Sequence, residues 1–414
     1  MSNGSFVFRI AWWHLSPKMW RYYPEIRILI GIQNFRFEII MAFNGRHPVI
    51  PKRDYIVCRD CLMDGSDPDI ILDENGVCNH CLNAQRALIE CEKEKPKLGK
   101  IIELIKRDGK RKDYDCLIGL SGGVDSSTVL HWAVSLGLRP LTFSMDNGYN
   151  DPRADANVLQ MVEKLKVPLY RYVLDLDKFR DLQSAYLKAG VINVEVTYDH
   201  LLWGASLEMA SKYGIKWILS GGNVATESIM PKSWSYDSRD LVNMKDIYWK
   251  MKGRKLKGKY GSFPLVNIWK YNWYRWIKGI KTLYLLDFLV YNRAKSIELL
   301  KKEYGYHEYG LKHEENTFTS WFQNFYLFQK FGIDKRKCHY SSMINSGQMT
   351  KKEALLVITD RPEYPALGIE AKVLKYPKRK HEDFAVDKWF GRISKLIRFL
   401  YKHGIIKRIS NNVV

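Results

Sequence analysis

The sequence predicts an α/β fold, a doubly wound parallel sheet with a small cysteine-rich element before it and a mainly helical part after it. Three observations carry that expectation. The apolar run Cys116-Leu117-Ile118-Gly119-Leu120 reads as a buried strand, and it passes through Ser121-Gly122-Gly123 into a helical stretch, Thr128 to Val134, that ends near Gly137. Strand and helix patterns then alternate: strand Pro140 to Met145, helix near Asp155 to Leu165, strand Pro168 to Leu174, helix Lys178 to Lys188, helix around Leu201 to Lys212, strand Lys216 to Leu219. Upstream, two CxxC pairs are separated by 16 residues. The resulting divisions are 51–83 for the cysteine element, 84–113 for a helical connector, 114–235 for the α/β domain and 236–414 for the remainder, with 1–50 unassigned.

Residues 1–50 read as aromatic-rich and irregular, for example Phe6-Val7-Phe8 and Ala11-Trp12-Trp13. Met41 stands shortly before the first motif and is an alternative translation start, which the intact mass of the native protein decides. From Cys58 to Cys81 the chain reads CRDCLMDGSDPDIILDENGVCNHC, with Asp73-Glu74-Asn75-Gly76 as a hairpin turn. Cys58, Cys61, Cys78 and Cys81 offer four thiolates, which satisfy tetrahedral Zn²⁺ and leave no open position for water, so the expected role is structural. His80 is expected beside this site or facing solvent rather than as a ligand. Asn83 to Asp113 is a charged helical connector interrupted at Pro96 and Gly109.

The stretch Ser121-Gly122-Gly123-Val124-Asp125-Ser126-Ser127 is an anion trap. Two glycines let the backbone approach a ligand, hydroxyls donate hydrogen bonds, and a helix N-terminus supplies unpaired N–H groups. Asp125 would repel a bare phosphate, so a Mg²⁺ between the two is the natural reading. No Gly-Lys-Ser/Thr follows the glycines, which excludes a Walker A loop. Ligands of doubly wound sheets bind beyond the carboxyl ends of the strands. Asp146-Asn147-Gly148 and Ser220-Gly221-Gly222-Asn223 fall at two more such ends, and Gly221, Gly222 and Asn223 are secondary ATP candidates against the reading of a plain turn.

The remainder opens with Lys245 to Lys281, which holds eleven Lys/Arg and one acidic residue interleaved with Tyr248, Trp249, Trp269, Tyr271, Trp273, Tyr274 and Trp276. Such a face binds RNA, lines a nucleotide-sugar pocket, covers a partner surface, or is merely solvated. Phe318 to Phe331 reads as an aromatic helix ended by Gly332-Ile333-Asp334, and Thr350-Lys351-Lys352-Glu353 as a capping box for another. Phe390, Ile393, Leu396, Ile397, Leu400 and Tyr401 recur at helical spacing with Lys395, Arg398 and Lys402 off the stripe, a helix that packs on its own domain or, alternatively, on a membrane surface or partner.

Sixty-six Lys+Arg against 45 Asp+Glu give a net charge of +21, so the expected partners are anionic. No apolar run reaches the roughly 18 residues that span a bilayer, and no signal-peptide pattern opens the chain. Seven cysteines, four of them in CxxC pairs, fit metal binding in a reducing cytoplasm better than disulfides.

The SGGVDSS string after a strand resembles the PP-loop of the ATP pyrophosphatase superfamily, whose members cleave ATP between the α and β phosphates and attach AMP to a carbonyl oxygen. With the cysteine element and the segment FQNFYLFQKFGIDKRKCHYSSMINSGQMTKKEAL, the chain from about Asp54 to the 360s resembles the N-acetyl sugar amidotransferases (WbpG/PseA-like) of surface-polysaccharide and flagellin-sugar biosynthesis. That resemblance implies conversion of an acetamido group on a nucleotide-linked sugar to an acetamidino group with ATP and ammonia. Ser121, Gly122, Gly123, Asp125, Ser126 and Ser127 would bind ATP and metal, Asp125 and Ser121 at the chemistry itself. Lys335, Arg336 and Lys337 would contact phosphate or carboxylate of the sugar nucleotide, and His313 with Glu314 would be polar or acid/base groups; each set has exposed surface as its alternative. The resemblance also implies separate glutaminase and cyclase-like subunits that supply ammonia, with the aromatic basic surface as their docking site. A tRNA-thiolating PP-loop enzyme is the rival within enzymes, and a zinc-ribbon nucleic-acid-binding protein the rival outside them. Nucleic acid is not the expected partner, because Cys91, Cys116 and Cys338 form no reactive pair and Asp125 with both loop glycines is intact.

Overall fold

The computed structural model describes residues 27–33, 36–42, 56–310, 312–360 and 363–389. The chain divides into two units, Met1–Asp54 and Tyr55–Val414. In the first, β1 (Arg27–Gln33) and β2 (Arg36–Ala42) pair antiparallel, Arg27 opposite Ala42 and Gln33 opposite Arg36, where the sequence suggested irregular chain. Met41 falls in β2, whereas Phe6 to Phe8, Ala11 to Trp13 and the helix expected from Phe390 to Tyr401 lie outside the described residues.

The second unit begins with the cysteine element. Asp73 N–H donates to Val77 O and Gly76 N–H to Asp73 O, closing the expected turn, with Gly76 at φ +75°. The connector is α1 (Asn79–Glu94), a short 3₁₀ turn at Lys95–Lys97 and α2 (Leu98–Gly109), so Pro96 breaks the helix at its first unpaired N–H positions.

The sheet follows: β3 (Cys116–Gly119), α3 (Val124–Ser135), β4 (Pro140–Asp146), α4 (Pro152–Leu165), β5 (Leu169–Val173), α5 (Leu176–Ala189), α6 (Val196–Lys212) and β6 (Trp217–Ser220). After α7 (Val224–Glu227), α8 (Leu241–Lys252) and α9 (Ile268–Asn272, continued by a π-helical turn at Trp273–Ile277) comes β7 (Lys281–Tyr284), which pairs parallel with β6. The order is β5-β4-β3-β6-β7, all parallel. The fifth strand therefore lies beyond the 114–235 span expected for the α/β domain; four residues of Lys-Thr-Leu-Tyr carry too little pattern to mark it.

Period-two alternation splits the strands between two cores. Leu117, Leu141 and Ile218 face a core shared with α5, α6 and the cysteine element. Cys116, Ile118, Trp217, Leu219 and Leu283 face the other, filled from α2, α3 and α4. Helices thus cover both faces, as the doubly wound reading requires.

The rest of the second unit is helical: α10 (Arg293–Tyr304), α11 (Thr317–Trp321) running on as a π-helix through Phe322–Phe331, α12 (Arg336–Asn345), α13 (Lys351–Ile358) and α14 (Glu370–Lys375). Gly332, at φ +73°, ends the aromatic helix, and Thr350 with Glu353 forms the expected capping box on α13. No helix among the described residues is long and apolar enough to cross a membrane.

Candidate active site

The loop between β3 and α3 is shaped by contacts only glycine permits. A Cβ on Gly122, at φ +79°, would lie 2.1 Å from the Ala154 carbonyl oxygen at the start of α4. Asn157 Nδ2 donates to Gly122 O at 3.2 Å and fixes the turn from the same helix. Gly123 then caps α3 with no side chain, leaving the first-turn amides without a capping acceptor. Ser121 Oγ and Ser126 Oγ are 3.2 Å apart across the loop mouth. The second Gly-Gly turn closes on the first: a Cβ on Gly221 would come within 3.0 Å of Ser126 N.

A cleft of about 640 Å³ opens at the carboxyl ends of β3, β4, β6 and β7. Ser121, Gly123, Asp125, Ser126, Gly221 and Gly222 line it. Gly122 supports the turn from behind. Ser127 does not face the cleft as expected; its side chain is wholly buried and its hydroxyl has no partner, because the helical step that turns Ser126 toward the cleft turns Ser127 into the core. Asn223 caps α7, accepting from Thr226 N at 2.9 Å and donating to Gly221 O at 3.2 Å, so it holds the turn in shape without lining the cleft. Asp146-Asn147-Gly148 also serves from outside: Asn147 accepts from Asn316 Nδ2 at 2.9 Å and seats the chain leading into α11.

Lys312 is the centre of the charged end. Its Nζ lies 2.9 Å from Asp125 Oδ2, 3.0 Å from Glu227 Oε1 and 2.5 Å from Thr226 Oγ1, while Tyr291 Oη donates to Asp125 Oδ1. Burial would strip the proton from Lys312, but the two carboxylates outweigh it and hold the ammonium above its ordinary range. Burial likewise works against the Glu227 charge; Lys312 and then His313 overcome it and keep the carboxyl well below its usual value. Two oxygen-donor carboxylates converging on one cation beside a helix N-terminus fit a divalent ion such as Mg²⁺.

His313, at φ +67°, lines the cleft with Nε2 3.2 Å from Glu227 Oε1 and its ring 5.3 Å from that of His339. His339 is 7% exposed, neither ring nitrogen has a hydrogen-bond partner, and burial with neighbouring positive charge keeps it neutral. Glu314 turns away, its Oε1 accepting from Asn324 Nδ2 at 2.7 Å, and the next residue, Glu315, takes the place beside Ser121 Oγ at 3.3 Å. Glu195 and Asp199, one turn apart at the start of α6, also line the cleft. Burial, with Asp199 nearby, pushes Glu195 up to about 7, and burial pushes Asp199 up to about 6. Thr319 Oγ1 donates to Glu195 Oε2 at 2.8 Å.

The three nominated basic residues separate. Lys335 lines the cleft. Arg336 instead clasps Asp334 with Nη2 at 2.7 Å and donates to the carbonyls of Ile358 and Asp360 at the end of α13. Lys337 pairs with buried Asp64 of the cysteine element. Successive residues entering a helix point about 100° apart, so three neighbours cannot share one ligand.

Lys337 belongs to a seam that ties the cysteine element to α12. Leu62 N–H donates to Ser341 Oγ at 3.0 Å, Asn345 Nδ2 to Cys81 Sγ at 3.3 Å, and Lys351 Nζ to the carbonyls of Cys58 and Arg59 at 2.8 Å. The four sulfurs of Cys58, Cys61, Cys78 and Cys81 are buried and lie within 4.8 Å of one another. The Cys58–Cys81 and Cys61–Cys78 separations are 3.9 and 3.7 Å. Tetrahedral zinc with bonds of about 2.3 Å needs sulfurs about 3.8 Å apart, so the residues fit the ion. Backbone amides of Met63, Cys78 and Cys81 donate to cluster sulfurs at 3.3–3.4 Å, as suits thiolates. His80 bonds Asp67 at 2.6 Å and is not one of the cluster's ligands.

Residues 315–385 match the family described as LPS biosynthesis protein WbpG-like, C-terminal domain. The WbpG-like segment supplies Glu315, Thr319, Lys335 and His339 to the cleft that Ser121, Asp125 and Ser126 also line. No curated protein matches the chain. Among solved structures the chain is similar to the NH3-dependent NAD synthetase of Campylobacter jejuni at 12% identity and TM-score 0.26, over 34% of this chain and 62% of that one. It is also similar to NMN synthetase from Francisella tularensis (14%, TM-score 0.27, 54% and 98% covered). A third is the U34-tRNA thiolase NcsA of Methanococcus maripaludis with its [4Fe-4S] cluster (14%, 0.28, 78% and 97%). The glycine-shaped loop with its uncapped first-turn amides suits an anion such as a phosphate, and the segment that lines the cleft with it is similar to the WbpG-like C-terminal domain.

Proposed function

We propose that the chain is an ATP-dependent amidotransferase that converts the acetamido group of a nucleotide-linked sugar to an acetamidino group in surface-polysaccharide or flagellin-sugar biosynthesis. The observation that carries this reading is the shared cleft: Asp125, Ser121 and Ser126 of the glycine-rich loop line one cavity with Lys335 and His339 of the WbpG-like segment.

In this reading the first-turn amides of α3 and the Ser121 and Ser126 hydroxyls bind the ATP phosphates. Asp125 and Glu227 would hold Mg²⁺, which neutralises phosphate charge as it develops. Lys312, the buried ammonium between those two carboxylates, would add its positive charge beside the phosphates. The acetamido oxygen attacks the α phosphorus; the bond to the bridging oxygen breaks and pyrophosphate leaves. Ammonia then attacks the amide carbon, the carbon–oxygen bond breaks and AMP departs with the oxygen. Glu195 and Asp199 would take the protons the incoming nitrogen sheds, since carboxyl groups near neutrality are effective bases. Lys335 and His313 would hold the sugar nucleotide. Cys58, Cys61, Cys78 and Cys81 would hold structural zinc. Ammonia would come from separate glutaminase and cyclase-like subunits.

Thiolation of tRNA finds less support. None of the seven cysteines lines the cleft, and burial pushes the Cys338 thiol up to about 12, far from a reactive thiolate. The test is incubation with ATP, Mg²⁺, ammonium and a panel of acetamido sugar nucleotides. Mass spectrometry should show one sugar nucleotide with oxygen replaced by NH, alongside AMP and pyrophosphate; ADP in their place would reject the reading.

A further inference from the structure

The face of residues 268–277 is inverted relative to an ordinary surface helix. Ile268 and Tyr274 anchor it to the protein at 5% and 3% exposure, while Trp269, Trp273, Trp276 and Ile277 stand out at 59%, 42%, 46% and 73%. The spacing 269, 273, 276, 277 puts these side chains on one side, and Trp389 extends the patch, its ring 5.9 Å from that of Trp269. Exposed single apolar residues are ordinary, but three tryptophans in a row on one helix face form a contiguous patch, which marks a surface that is covered in use. Charge says by what. Lys278 Nζ lies 4.9 Å above the Trp273 ring and Arg275 belongs to the same turn; of the eleven basic residues from Lys245 to Lys281, Lys250, Lys252, Arg254 and Lys270 pair with Asp246, Asp181 and Glu208, and the others leave the stretch positively charged. Protein interfaces concentrate tryptophan and arginine at their centres but exclude lysine there. Tryptophan interleaved with lysine is the composition of the bilayer interface, where indoles sit at headgroup depth and ammonium groups reach anionic phosphates.

We propose that residues 268–277 are a membrane-surface anchor that seats Trp269, Trp273 and Trp276 in the interface of an anionic leaflet. The anchor is independent of the amidotransferase reading and gives this surface a different occupant from the ammonia-supplying subunits. It would hold the enzyme on the membrane without crossing it, and the affinity is electrostatic in part, so it weakens as salt rises.

The test is co-sedimentation of the full chain with vesicles of phosphatidylcholine, with and without phosphatidylglycerol, at low and moderate salt. The expected result is binding to the anionic vesicles with a blue-shifted tryptophan emission. Binding should fall at least about tenfold in a Trp269→Ser, Trp273→Ser, Trp276→Ser variant whose thermal melt matches the parent, and severalfold in Arg275→Glu with Lys278→Glu. Failure of the intact chain to bind anionic vesicles overturns the proposal. So does binding that survives the triple substitution and disappears only when residues 390–414 are removed, or retention of a protein through these tryptophans with no vesicle binding.

Discussion

Lys312 decides how the charged end of the cleft behaves, because it is a buried cation shared by Asp125 and Glu227. Lys312→Met leaves two facing carboxylates and should cost roughly 3 kcal/mol or more of stability, much of it recovered on adding Mg²⁺. Thermal melts with and without Mg²⁺ check this: the variant should gain more from the ion than the parent does, and equal gains would contradict the site. Ser126→Ala should raise KM for ATP, whereas Ser127→Ala should leave it unchanged, since the Ser127 hydroxyl is buried and unpaired. Glu195 and Asp199 set the pH response. Their folded values, about 7 and about 6, lie above those of the unfolded chain, so the folded state binds more protons between the ordinary carboxylate range and about pH 7. Stability contributed by these groups is full below that window and is lost as pH rises through it, at up to roughly 1.4 kcal/mol per pH unit per group. Melting temperature against pH should therefore fall less steeply in Glu195→Gln than in the parent.

The site's elements were legible in unequal measure, for physical reasons. Ser121 to Ser126 could be read because each residue type has a local cause: a strand end, a glycine pressed on Ala154, a helix start. Lys312 and Glu315 flank the nominated His313 and Glu314 in one Lys-His-Glu-Glu string, and only the backbone bend at His313, φ +67°, decides which of the four face inward. Glu227 lies four residues after Asn223, within reach of a reading of that turn. Glu195 and Asp199 carry a one-turn spacing, but nothing local says that their face meets a cleft rather than solvent. Lys337 read as a ligand contact because its partner, Asp64, is 273 residues away in sequence. That long-range seam makes the cysteine element a strut for α12. With zinc on the four cysteines, a chelator should lower the melting temperature and increase hydrogen exchange in Arg336–Asn345, which carries His339. Unchanged exchange there would show that the strut is not needed.

At the scale of the whole chain, the order β5-β4-β3-β6-β7 brings four strand ends to one cleft, and the WbpG-like segment closes it from above by pairing Glu315 and Thr317 with the loop after β4. Alternation of strands and helices announced the sheet, but not β7, because a four-residue strand after a basic helix has no periodicity of its own. Neither part lines the cleft alone: Ser121, Gly123, Asp125 and Ser126 line it from the β3–α3 loop, and Glu315, Thr319, Lys335 and His339 from the C-terminal segment. The central claim is that the acetamido oxygen is carried away on AMP. The direct measurement is turnover of a sugar nucleotide whose acetamido oxygen is oxygen-18, followed by mass spectrometry of the released AMP. The label should appear in the AMP phosphate, with Asp125→Ala abolishing both product and label transfer; product formed with unlabelled AMP would contradict the account.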